Sequence, residues 1–104
     1  MRFLMKVTIP TEAGNAAAEG GFSQMPQILA EQKPEAAYFV AENGKRTAML
    51  FIHMDDPSQL PAFAEPWFLA FNADIEATPA MVADDLAKAG PAIEEAVKKY
   101  GKKK

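Results

Sequence analysis

The chain has 104 residues, 49% hydrophobic and 24% charged, the composition of one globular domain and not of a disordered chain. It contains no cysteine, which excludes disulfides and thiolate metal sites. The net charge of −3 hides an asymmetry: five lysines fall in the last seven residues, while residues 1–97 carry six basic and fourteen acidic side chains. That balance of −8 argues against nucleic acid as a partner of the folded body.

No run approaches the roughly 18 apolar residues of a membrane span, and Lys6 interrupts the N-terminal apolar stretch that a secretory leader requires. A cytoplasmic chain with no membrane partner is the expectation. Residues 1–101 read as a single domain and 102–104 as a lysine tail.

Residues 2–9 alternate as a strand, with Phe3, Met5, Val7 and Ile9 on one face and Leu4, Lys6 and Thr8 on the other. Pro10 ends the strand, and Thr11 is placed to cap a helix. Residues 12–32 favour helix, broken or loosened by Gly20-Gly21, a pair costing about 2 kcal/mol in a helix interior. In the second part Ser23 can cap, and Phe22, Met25, Ile28 and Leu29 share one side. Lys33-Pro34 stops it.

Residues 36–42 form a second strand, and Asn43-Gly44 supplies a type I′ turn into its hairpin partner. That partner contains residues 47–54, the longest strongly apolar run of the chain, and the single histidine, His53. Ala48, Leu50, Ile52 and Met54 suit one face of it; Met49, Phe51 and His53 suit the other.

Asp55-Asp56-Pro57 reads as an acidic cap with proline at the first helical position. Leu60, Phe63, Ala64, Trp67, Phe68 and Phe71 follow at helical spacing, with a kink or split expected at Pro66. Residues 74–78 alternate as a fourth strand. Thr78-Pro79 repeats the cap-and-proline device for a last helical region, in which Val82, Leu86, Ala89, Ile93, Val97 and Tyr100 keep helical spacing across a break at Gly90-Pro91.

Strand–helix–strand–strand–helix–strand is the ferredoxin-like βαββαβ plait, an α+β fold with an antiparallel four-stranded sheet, here with an extra C-terminal helix. Its first and third strands are central. One sheet face meets the helices; the other carries Leu4, Tyr38, Met49 and Phe51 and would leave an apolar patch bare in an isolated chain.

The alternating strand at 2–9, the Asn43-Gly44 hairpin, the aromatic helix at 63–71 and the strand at 74–78 running into Pro79 resemble the dimeric α+β barrel superfamily, in particular its small bacterial members of unknown function. That resemblance implies a homodimer with paired sheets. The superfamily holds cofactor-independent monooxygenases, lactone isomerases, haem-degrading enzymes and non-catalytic ligand binders, so it implies where a cleft lies and leaves the chemistry open.

On that cleft face the strand alternation gathers Lys6, Thr8, Tyr38, His53 and Glu76. His53 with Glu76 is a candidate acid–base pair, because an imidazole titrates near neutrality. Lys6, Tyr38, Met49 and Phe51 are candidate ligand contacts, and Trp67 a candidate wall of an apolar pocket. The same residues also read structurally: His53 at an interface, Lys6 and Glu76 as a cross-strand ion pair, Trp67 in the core.

Asp55-Asp56 with His53 offers too few ligands for a metal. Gly20-Gly21 lacks the surroundings of a phosphate loop, and no cofactor is expected. Two readings stand: a homodimer binding a small apolar, oxygen-bearing metabolite, extending to monooxygenase- or isomerase-like catalysis, or a dimerisation module with no ligand.

Overall fold

The computed structural model describes residues 1–102, so the last two lysines of the tail lie outside the described residues. Four strands, β1 (Arg2–Thr8), β2 (Ala36–Glu42), β3 (Lys45–His53) and β4 (Asp74–Pro79), form one antiparallel sheet in the order β2-β3-β1-β4. Five helices accompany them: α1 (Thr11–Glu19), α2 (Gln24–Gln32), α3 (Leu60–Phe71), α4 (Ala83–Lys88) and α5 (Gly90–Tyr100). The architecture is α+β and fits a ferredoxin-like plait, with β1 and β3 central.

The register separates the faces cleanly. Met5 lies opposite Leu50 and Ala77, and Val7 opposite Ala48 and Ile75, so these side chains share the face covered by α1, α2 and α3. Met5, Val7, Leu50, Ile52 and Trp67 are fully buried there. Between β2 and β3, Asn43 and Gly44 both have positive φ, as the two-residue turn between twisted strands demands.

Several local expectations are corrected. Thr11 is the first residue of α1, behind Pro10, and makes no capping bond; Ser23 has helical angles and caps nothing either. The chain instead passes between α1 and α2 through positive φ at Gly21 and Phe22. Thr78 and Pro79 belong to β4, and α4 begins only at Ala83, where the Asp85 carboxylate accepts the Val82 N–H at 3.0 Å. Asp56 caps as expected: it accepts the Ser58 N–H at 2.8 Å, at the head of a 3₁₀ turn (Pro57–Gln59) that leads into α3. That bond holds its carboxyl below the ordinary range.

Pro66 neither splits nor ends α3. A proline leaves the carbonyl four residues back, that of Ala62, without its helical donor; one residue further on, the Gln32 side chain reaches across from α2. Its Nε2 donates to the Phe63 carbonyl at 2.8 Å, while its Oε1 accepts the Trp67 indole N–H at 3.1 Å. One amide thus bonds a carbonyl in the turn before the proline and satisfies the only polar atom of a buried indole. The helical stripe is only partly interior: Ala64, Trp67 and Phe71 are buried, whereas Leu60 and Phe68 remain partly exposed.

The last two helices depart from the body. The radius of gyration is 17.8 Å and the longest extent 61 Å, against 29 and 21 Å across; a compact domain of this size has a radius of about 13 Å. α5 meets mainly α4, which directly precedes it in the chain, and neither helix has a buried residue.

Trp67→Ala should cost about 3–5 kcal/mol as a core truncation, and Gln32→Ala about 1–3 kcal/mol, by leaving the indole N–H without an acceptor. Urea unfolding followed by circular dichroism measures both. A Gln32→Ala loss no larger than that of an exposed control such as Gln27→Ala would remove Gln32 from its role.

Candidate functional site on the open sheet face

The face opposite the helices is assembled by strand parity. β1 contributes Arg2, Leu4, Lys6 and Thr8; β3 contributes Lys45, Thr47, Met49, Phe51 and His53; β2 adds Ala36, Tyr38, Val40 and Glu42; β4 adds Asp74, Glu76 and Thr78. Leu4 sits opposite both Phe51 and Thr78, and Met49 opposite both Lys6 and Tyr38. The centre is therefore apolar, with Leu4, Met49 and Phe51 only partly covered and Tyr38 60% exposed.

Charged groups gather at the two ends. At one end the Arg2 guanidinium grips Glu35 through two bonds, Nε to Oε1 at 2.6 Å and Nη2 to Oε2 at 3.1 Å. His53 Nε2 lies 3.1 Å from the same Oε1, and Asp85 at the start of α4 reaches Arg2 Nη1 at 3.9 Å. Arg2 foremost, with a smaller contribution from His53, holds the Glu35 carboxyl below the ordinary carboxylate range. An ionised carboxylate can only accept, so a neutral His53 donates from Nε2 and presents Nδ1 as an acceptor.

At the other end Lys6 Nζ meets Glu42 at 2.6 Å, and this hydrogen bond raises the lysine's pKa. The pair crosses β3 diagonally, and the register places Thr47 between the two residues, where it is buried on an otherwise open face.

Six of the seven sequence-derived candidates, Lys6, Tyr38, Met49, Phe51, His53 and Glu76, thus share one face. They do not form one cluster. His53 stands opposite Arg2 and Glu76 opposite Lys6, four residues further along β1, a separation of about 13 Å along the strands alone. The carboxylate beside His53 is Glu35, not Glu76. Lys6 lies opposite Glu76 yet bonds to Glu42. Trp67 is on the other face altogether, fully buried against the sheet and stacked at 5.6 Å on Phe71. A hollow of about 390 Å³ at the His53 end is walled by Met1, Arg2, Pro79, Met81 and Asp85. Among the described residues no group of three or more His, Asp or Glu side chains is placed to hold a metal.

Strand parity alone could have found Arg2 and Glu42, the face-mates of Lys6 and Tyr38. Glu35 carries no such signal, because it precedes β2 and is aligned by its own N–H bond to the Phe51 carbonyl at 2.8 Å.

Residues 1–94 match the family described as Domain of unknown function (DUF3303). The chain belongs to that family. The match takes in the whole sheet, both charged ends of its open face and the first part of α5. No curated protein and no solved structure matches this DUF3303 chain. Among the described residues no helix is long and apolar enough to cross a membrane.

Because the folded pKa of Glu35 is depressed, its stabilising contribution is present above the ordinary carboxylate value of 4.5 and is lost as pH falls through the lower folded value. Glu35→Gln should therefore lower the urea midpoint at pH 7, with the gap to the wild type closing on acidification below that range. A gap independent of pH would show that Glu35 contributes packing and not charge.

Proposed function

We propose that the chain is a homodimeric small-molecule-binding protein of the dimeric α+β barrel type. Two copies set their open sheet faces together, and the cleft between them takes an apolar, oxygen-bearing metabolite. The observation that carries this reading is the open face itself. The two central strands present Leu4, Met49 and Phe51 away from their own helices, and Tyr38 and Val40 extend the surface on β2. A soluble chain rarely leaves such a continuous patch bare, and a second copy covers it without any further component.

Within that cleft, Met49, Phe51 and Leu4 contact the apolar body of the ligand. The Tyr38 hydroxyl and His53 Nδ1 address its oxygen substituents. His53, held by Glu35, is the residue on which general-base catalysis would rest. Glu35 itself is a poor base, since Arg2 already occupies both of its oxygens. Glu76 has no part with His53 within one chain.

A second reading, an interface without a ligand, is favoured by a different observation. Arg2 and Lys6 are both neutralised by carboxylates of their own chain, so neither is free to hold an anionic ligand.

Sedimentation velocity should give a dimer for the wild type and a folded monomer for Phe51→Asp; a wild-type monomer at tens of micromolar would refute the pairing. With 1-naphthol as a fluorescent, hydroxylated probe, His53→Ala should stay dimeric and bind about tenfold more weakly, the loss of one hydrogen bond. Unchanged naphthol binding in His53→Ala would leave the interface-only reading standing.

A further inference from the structure

The C-terminal helices α4 and α5 present a second apolar surface that the chain's own body does not use. Ile93, Val97 and Tyr100 recur at i, i+4 and i+7 on α5. They are 50, 61 and 85% exposed, and Leu86 and Val82 on the approach are bare as well. α5 has eleven residues. Isolated helices shorter than about 12–15 residues are marginal in water, and most helical stability in proteins comes from packing an amphipathic face. This helix has the face and lacks the packing.

The arm is not simply loose at its root. Ala80 N–H bonds the Arg2 carbonyl at 3.0 Å, Val82 N–H bonds Asp85, and Asp85 approaches Arg2. Those contacts fix the point at which it leaves the sheet, at the His53 end of the open face. From there α5 runs outward, about 16 Å long at 1.5 Å per residue, on a molecule 61 Å in longest extent.

We infer that this arm is an association element that packs on a second copy of the same chain, its Ile93–Val97–Tyr100 stripe covering the β2 margin of the other copy's open face. The inference rests on the paired-sheet reading above and adds an exchange of arms to it. Three observations name the occupant. One chain carries both unpartnered apolar surfaces, so a two-fold pair satisfies each with the other. The receiving strand is bare on both faces, with Tyr38, Phe39 and Val40 all exposed at the sheet edge. The charges are complementary as well: the last seven residues hold five lysines and the preceding 97 a balance of −8, so the tail is attracted to the acidic body that a second copy presents.

The experiment uses the full chain with Ile93→Asp and Val97→Asp together, exposed substitutions that leave the core and Trp67 fluorescence intact. The dimer dissociation constant from sedimentation should rise at least 100-fold; a constant within twofold of the wild type overturns the inference. Because the chain has no cysteine, introduced thiols report contacts unambiguously. Val97→Cys on one chain and Val40→Cys on another should join as a disulfide-linked heterodimer on mixing and oxidation. A chain bearing both that closes only on itself shows the arm packing on its own body and overturns the inference. Monomeric Phe51→Asp beside an unaffected arm variant would sink the arm alone, whereas a monomeric wild type sinks both readings.

Discussion

The middle of β3 is apolar on two faces, with Leu4 of β1 beside it, and one chain supplies a helix layer for only one of those faces. Met5, Val7, Leu50 and Ile52 are driven under α1, α2 and α3 by the burial of their side chains, worth about 1.5–3 kcal/mol each. Strand geometry then has no freedom left: the alternate residues Leu4, Lys6, Met49, Phe51 and His53 must point the other way. Much of the remainder follows from this constraint, including which residues share the open face and why its charged pairs meet across the strands, and it is the ground on which a second copy is proposed as the cover.

The helix layer shows how such a constraint is kept single-valued. α3 carries a proline in its middle and an indole in its buried stripe, two features that would each weaken the packing if left alone. Gln32 ties the two regions together from α2, donating to the Phe63 carbonyl in the turn before the proline and accepting from the indole. A side chain able to both donate and accept is required there; an aliphatic residue of equal size would fill the space and leave a buried donor unpaired.

The strands and their faces were legible in the sequence because a period of two is a local property. Phe3, Met5 and Val7 against Lys6 and Thr8 set the face of β1, and Asn43-Gly44 sets the register of β2 on β3 without reference to anything distant. Ion-pair choice was not legible. Lys6 lies opposite Glu76, and alternation alone favours that pair, but a long lysine reaches diagonally, and Glu42 is the partner it finds. Glu35 was missed for the same kind of reason: it lies outside the alternating run and meets Arg2 and His53 only once the sheet has formed. For Trp67 the helical stripe admitted both core and pocket wall, and tertiary packing chose the core. The final helices were seen as helices by their period, while their lack of any covering surface could be read only from the assembled chain.

The placement of charge on the open face bears on whether its centre can be buried at all. Removing an ion pair from water costs several kcal/mol per ion before mutual attraction offsets it. Arg2–Glu35 and Lys6–Glu42 stand at opposite ends of the face, four residues apart along β1, with Leu4 between them. In the proposed pairing a partner sheet rests on Leu4 and Phe51, with Arg2–Glu35 at one rim and the Lys6 ammonium, drawn past Thr47 to Glu42, at the other. Had Arg2 or Lys6 stood at the Leu4 position, the same approach would have dehydrated a charge at the centre. The distribution that makes Lys6 unsuited to holding a free anion is therefore the one that lets this face close over something apolar.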